Sequence, residues 1–273
     1  MLRLCRGEIW ASRDCGDRNG RWVSRQKGEK FTAKDFLENL VNEVQCMTGE
    51  ALRGDAGRPV WLDPFVRAQR PGTSGNGGLT ISNFQMPVPI LGYRADAVSP
   101  ILVIGLNTGY DPAEQGSPLY REDGLAAYLD WCRNVFVTQA RNANGKTVKF
   151  VDGRARVIRH YNHIESRLQR SYPGIQIGRG VVYADMVPWR SKDGSTVATA
   201  LKNADARRWV EQHLEKIVQE VNPQKVVLLG QAVAQVARLS WKPLEDAPQR
   251  WQGRHAWTVY HPNAFGNPAW PAI

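Results

Sequence analysis

Asn107, Asp185 and His261 are the residues whose type and setting can do chemistry. Each follows a short apolar run that reads as a β-strand: ILVI before GLNTG, VVYA before DMVPW, and AWTVY before HPNAFG. An imidazole gains or loses a proton near neutral pH. A carboxylate accepts hydrogen bonds when ionised and donates one when protonated, and a carboxamide does both without titrating. Parallel strands deliver such groups to one rim of a sheet, where α/β proteins bind ligands. Each residue also has a plainer explanation. Asn107 can bond its own backbone in a turn, Asp185 can cap the loop at 186–189, and His261 can bond nearby backbone.

The elements that must position these groups are legible from the hydropathy pattern. Residues 101–104 are continuously apolar, as in a strand buried on both faces, and Gly105 marks the turn out of the sheet. Residues 181–184 form a second such strand, and Pro188 disfavours its continuation. KVVLL at 225–229 is a third, stopped by Gly230, and 256–260 a fourth. Helical patterns at 124–137, 205–220 and 231–239 alternate with them. This predicts an α/β fold of three layers, α/β/α, around a central, largely parallel sheet of four to five strands.

Upstream, 31–52 places Phe36, Leu37, Leu40, Val41 and Val44 at helical spacing, with Thr32 as a candidate cap. RPGTSGNGG at 70–78 lacks the following helix or GK[ST] of a phosphate cradle and reads as a flexible loop. The expected organisation is an N-terminal helical and loop extension, 1–95, packed on a core at 96–273, together one compact domain. No internal repeat is evident.

Lys and Arg number 36 against 26 Asp and Glu, a formal charge of +10 that suits a polyanionic partner. The tract 146–170 carries Lys146, Lys149, Arg154, Arg156, Arg159, Arg167 and Arg170, opposed only by Asp152 and Glu165. It reads equally as a solvated helix face or as a surface that follows a phosphate backbone. With 42% hydrophobic residues the chain has material for a substantial core, which excludes a disordered tail. No run approaches the roughly 20 apolar residues of a membrane span. MLRLCRGEIW lacks the apolar region of a signal peptide, so a soluble, cytoplasmic protein without membrane contact is expected. Cys5, Cys15, Cys46 and Cys132 form no C-x-x-C pair, which predicts reduced thiols and neither a metal site nor an iron–sulfur cluster.

Taken in order, GLNTG, the following QGSPLY and the late HPN make the chain resemble the uracil-DNA glycosylase superfamily. The first motif of that superfamily reads approximately G-x-N/D-P-G/Y and its last H-P-S. The single-strand-selective monofunctional branch, with G-M-N-P-G followed by Q-x-G-x-P-F, is the most similar. LLGQAVAQ is similar to the family's late strand–helix unit, so the resemblance runs from Ile101 to the C-terminus and leaves 1–95 uncovered. It implies a uracil-DNA glycosylase-like core, a DNA partner, a monomer, no cofactor, and hydrolysis of an N-glycosidic bond after a nucleotide is flipped from the duplex.

By this resemblance Asn107 positions the attacking water, and His261 donates to O2 of the departing pyrimidine. Asp185 stands where uracil-specific members carry the asparagine that reads the base edge. An ionised aspartate accepts only, which suits the N4 amine of cytosine and repels O4 of uracil. A protonated one would donate to N3 and accept from N4. Gly109 stands where a tyrosine blocks the pyrimidine C5 position, so space is left there, although a glycine is also an ordinary turn residue. Leu119 replaces a stacking phenylalanine, with Tyr120 beside it; Thr108 replaces proline and Asn263 replaces serine. Phe265 lies where relatives place a wedge that fills the gap left by the flipped base, or else packs against Trp257 or Trp270. With Phe265, the expected DNA contacts are Asn263, Arg154, Arg156, Arg159 and Arg190. The matched motifs hold no lysine to form a Schiff base, so monofunctional chemistry is implied.

The expected substrate is a C5-modified cytosine, hydroxymethylated or glucosylated as in phage DNA, and the expected product an abasic site. A host whose own DNA lacks the modification tolerates such an activity, which points to antiphage defence. Repair of uracil or 5-hydroxymethyluracil stands as one alternative, and a non-catalytic binder of modified or damaged DNA as another.

Overall fold

The computed structural model describes residues 33–68, 87–93, 100–107, 109, 132–133, 148–151, 154–157, 159–191, 194–264 and 269–273. The fold is α/β. Its sheet has seven strands, in the order β1 (Ile90–Leu91), β6 (Gly180–Asp185), β2 (Ile101–Gly105), β7 (Lys225–Leu229), β9 (Arg254–Val259), β8 (Gln249–Trp251), with β5 (Gln176–Ile177) also on β6. The run β6-β2-β7-β9 is parallel throughout and contains all four strands expected from the sequence. β2 and β7 are near-continuous in Val, Ile and Leu, and Leu102, Val103, Ile104, Val226, Val227 and Leu228 are completely buried.

The expected count of four to five strands is corrected to seven. The additional strands β1, β5 and β8 are two or three residues long and lie outside the parallel run. β8 and β9 form an antiparallel hairpin turning at Gln252 and Gly253, with φ of 46° and 75°. Positive φ at both central residues is the twist that joins hairpin strands without splaying them.

Six α-helices accompany this sheet among the described residues. α1 (Ala33–Arg53) buries Leu37, Leu40, Val41 and Val44, the stripe expected from their spacing. After a 3-10 turn at Val60–Leu62 come α2 (Asp63–Ala68), α3 (Arg159–Leu168) and α4 (Gly194–Ala200). α5 (Ala204–Val221) starts where the Asn203 side chain accepts from the backbone N–H groups of Asp205 and Ala206, at 2.7 and 3.3 Å. It ends at Asn222, whose φ of 44° is left-handed. α6 (Gln231–Val236) is three residues shorter than expected, because Ala237 caps it and Arg238 turns left-handed with φ 57°.

The basic tract is not one helix. β3 (Val148–Val151) and β4 (Arg154–Val157) pair as a separate antiparallel ribbon, and the helix begins only at Arg159. The helix expected at 124–137 lies outside the described residues apart from Cys132 and Arg133, which are helical, and so does the glycine-rich segment 70–78. The described part of 1–95 shares the core of the rest: β1 pairs with β6, and Leu37, Trp61 and Phe65 belong to the same buried cluster as the sheet. Cys132 is free and buried, whereas Cys46 is disulfide-bonded, against the expectation of reduced thiols.

Candidate functional site

Parallel pairing decides where the three polar residues go. Gly105 is opposite Asp185, Ile104 opposite Leu228, and Leu229 opposite Val259, so β6, β2 and β9 end on the same rim of the sheet. Asp185 is the last residue of β6, while Asn107 and His261 follow β2 and β9 by two positions. The chains leaving β2 and β6 stay side by side. Met186 N–H donates to the Gly105 carbonyl at 2.9 Å, Val187 N–H to the Leu106 carbonyl at 3.0 Å, and Gly109 bridges to Ser191.

Asn107 is half-buried between these two loops. Its Nδ2 donates to Ser191 Oγ at 2.8 Å and to the Trp189 carbonyl at 3.4 Å. A carbonyl can only accept, so the amide nitrogen faces Trp189 and the orientation of the carboxamide follows. Trp189 is itself buried, donating from Nε1 to Thr48 Oγ1 at 2.9 Å and meeting Trp61 edge-on at 5.3 Å. The N-terminal helix thus supports the loop that holds Asn107.

Asp185 is completely buried, and a ligand reaches it only if the residues over it part. Its Oδ1 accepts from Tyr183 Oη at 2.8 Å, and His160 Nε2 lies 3.3 Å from the same phenol oxygen. Burial first, then the Asp185 charge, raises the Tyr183 hydroxyl well above its ordinary value, so it stays protonated. Burial, followed by His261 and His163, pushes His160 down to about 3. On the far side His213, stacked on Trp209 at 4.6 Å, is likewise lowered to about 3 by burial and then by Lys216. His160 and His213 are therefore neutral near pH 7.

His261 sits in a tight turn closed by Ala264 N–H on its carbonyl at 2.8 Å. Asn263 N–H donates to His261 Nδ1 at 3.3 Å, which leaves the ring proton of the neutral form on Nε2. His261 is exposed as a residue, yet burial of its ring and, after it, Arg167 lower its pKa. α3 clamps the turn. His163 Nδ1 and Arg167 Nη1 lie 3.1 and 3.2 Å from the Pro262 carbonyl, Arg167 also lies over the Trp270 ring, and the His160 and His261 rings are 5.0 Å apart. His160, His163, Arg167, Tyr183 and Ser191 are site residues that sequence reasoning did not single out.

The remaining expected positions divide. Gly109 is exposed and a Cβ there would meet open space. Asn263 serves His261 through its backbone. Arg154 and Arg156 lie on β4 and Arg159 opens α3. Arg190 is 3% exposed, so its guanidinium is enclosed. Leu119, Tyr120, Thr108 and Phe265 lie outside the described residues. No three His, Cys, Asp or Glu side chains cluster as a metal site would require, and no helix is long and apolar enough to cross a membrane, both among the described residues. A scan against protein-family models finds no match, and a search of curated proteins finds no matching relative.

Proposed function

We propose that this chain is a divergent member of the uracil-DNA glycosylase superfamily, with its three-layer α/β/α core. In this reading it is a monofunctional, monomeric DNA glycosylase that flips out and excises a modified pyrimidine. The observation that carries the reading is the shared rim: Asp185 closes one strand of a parallel run, and Asn107 and His261 follow the C-terminal ends of two others. A flipped nucleotide needs groups for its sugar, its base edge and its leaving-group oxygen, and these three supply one each.

In the reaction, water held by Asn107 attacks C1′ of an oxocarbenium-like sugar as the N-glycosidic bond breaks, the bonding pair leaves with the base, and the proton the water sheds passes through solvent to neutralise the departing base. His261 stabilises the negative charge on O2 by donating from Nε2, the tautomer that the Asn263 N–H favours. A neutral imidazole suffices, because a hydrogen bond to a developing oxyanion requires a donor rather than full proton transfer. Asp185 reads the base edge and favours a cytosine, and Gly109, whose Cβ direction is open, admits a C5 substituent. The substrate is then hydroxymethylcytosine or its glucosylated form, with DNA of such phages as the source and antiphage defence in the cytoplasm as the role. The net charge of +10 supports the DNA partner.

The test is abasic-site formation. The protein is incubated with oligonucleotides bearing uracil, cytosine, hydroxymethylcytosine or glucosylated hydroxymethylcytosine, then treated with alkali. Cleavage at the modified cytosines is the expected result. Cleavage at uracil alone would replace this reading with uracil repair, and no cleavage at any base would leave a DNA-binding module.

A further inference from the structure

His160, Tyr183 and Asp185 form a line of hydrogen-bonding groups beneath the rim, and its direction can be deduced. A phenol has one proton, and Tyr183 gives it to Asp185 Oδ1 at 2.8 Å. Its oxygen can then only accept from His160, 3.3 Å away, so the His160 proton is on Nε2. The Tyr183 ring is held edge-on by His160 at 5.7 Å and by Tyr161 at 5.2 Å. Gly105 completes the arrangement. It is the ladder partner of Asp185, and a Cβ there would collide with the Tyr183 hydroxyl and come 2.9 Å from Asp185 Oδ1. The first glycine of GLNTG is thus required by the phenol that touches Asp185.

We propose that Tyr183, supported by His160 and admitted by Gly105, is a positioning residue that keeps Asp185 in its acceptor form and so sets the base preference of the site. The proposal rests on the reading of Asp185 as the base-contacting group. A donor to a carboxylate favours its ionised form. An acceptor-only carboxylate favours a base edge that donates, the exocyclic amine of a cytosine, over one that accepts, the O4 of a uracil. Loss of the hydroxyl removes a donor that favours the acceptor-only form, and the preference narrows.

The experiment compares kcat/KM for abasic-site formation on oligonucleotides with a single hydroxymethylcytosine or a single uracil. Tyr183→Phe, which keeps the ring, is expected to lower the hydroxymethylcytosine-to-uracil ratio by about tenfold or more, the worth of one hydrogen bond to a charged group. Gly105→Ala is expected to act in the same direction, because its Cβ would displace the Tyr183 hydroxyl. Should Tyr183→Phe fold poorly, His160→Phe removes the supporting donor and gives the same readout. A ratio unchanged by Tyr183→Phe but altered by Asp185→Asn overturns the proposal alone. A ratio unchanged by both removes Asp185 from base reading and overturns the proposal with that assignment. If the wild-type protein forms no abasic sites, the functional reading has failed, and dissociation constants for the same two oligonucleotides decide the proposal: a narrowed ratio in Tyr183→Phe supports it, an unchanged one overturns it.

Discussion

Asn263 donates its backbone N–H to His261 Nδ1 at 3.3 Å, and this bond decides which nitrogen of the neutral ring carries the proton. A histidine meant to donate from Nε2 needs its other nitrogen occupied as an acceptor, and a turn two residues long supplies that locally. Nitrogen-detected correlation spectra should therefore report His261 as the Nε2–H tautomer at pH 7. Observation of the Nδ1–H tautomer would contradict the assigned donor role.

Arg167 links the His261 turn to α3. Its guanidinium donates to the Pro262 carbonyl and lies among the groups that depress the His261 pKa. Replacing it with Met removes a buried charged donor, so a loss of about 2 kcal/mol in unfolding free energy is expected by urea titration. The same change should raise the His261 pKa, followed by NMR, towards its ordinary value of 6.5. A lowered His261 pKa would mean that the guanidinium is not the nearby charge that matters.

Acid should destabilise the protein more than its carboxylates alone require. His160 and His213 are held to about 3 by burial, against 6.5 for the unfolded chain. Below pH 6.5 the unfolded chain binds protons that the folded one refuses. Stability is therefore complete above 6.5 and lost as pH falls towards the folded values, by about 1.4 kcal/mol per pH unit for each ring. Urea midpoints at pH 7.0 and 5.5 test this: the expected difference is about 3 kcal/mol for the pair, and equal midpoints would refute it. His160→Phe should remove about half of the dependence.

The parts of this molecule that were readable from sequence are those whose physics is local. The four parallel strands are short apolar runs with a glycine, a proline or a polar group at the end, and such runs have few alternatives. The short strands β1, β5 and β8 have no such pattern, since two or three residues carry no period. In the basic tract, charge count revealed nothing of the break between β4 and α3. Within the site, Tyr183 was accessible in principle: it precedes Asp185 by two and so shares its strand face. His160, His163 and Arg167 lie at i, i+3 and i+7 of one helix, but which way that face points is settled only by packing α3 against the turn after β9. Arg190 shows the converse, a basic residue in a motif loop that tertiary structure encloses.

Thr48 makes the N-terminal helix testable as a support for the Asn107 loop. Thr48→Val keeps the shape and deletes the acceptor of the buried Trp189 indole N–H, at an expected cost of about 1–3 kcal/mol in unfolding free energy. Ser191→Ala acts nearer the amide. Removing the 2.8 Å partner of Asn107 should lower kcat for abasic-site formation by about tenfold. KM should change little, since in the proposed reaction the bond orients the group that holds water rather than the base. A raised KM at constant kcat would place Ser191 in substrate binding instead.

Gly109 gives the sharpest test of substrate choice. Its Cβ direction is open, its φ is not in the left-handed region, and it bridges Ser191 at the mouth between the two loops, so a side chain there costs the fold little. Gly109→Tyr should leave the unfolding midpoint within about 0.5 kcal/mol of wild type, as for an ordinary surface substitution. Any space beside the pyrimidine C5 position would then be occupied by the ring. Activity on glucosylated hydroxymethylcytosine should fall most, that on hydroxymethylcytosine less, and that on a base without a C5 substituent least, because the obstruction grows with the substituent it meets. A uniform loss across the three would mean that residue 109 contacts the DNA backbone or the sugar. Retention of activity on the glucosylated base would mean that the C5 position faces elsewhere in the site.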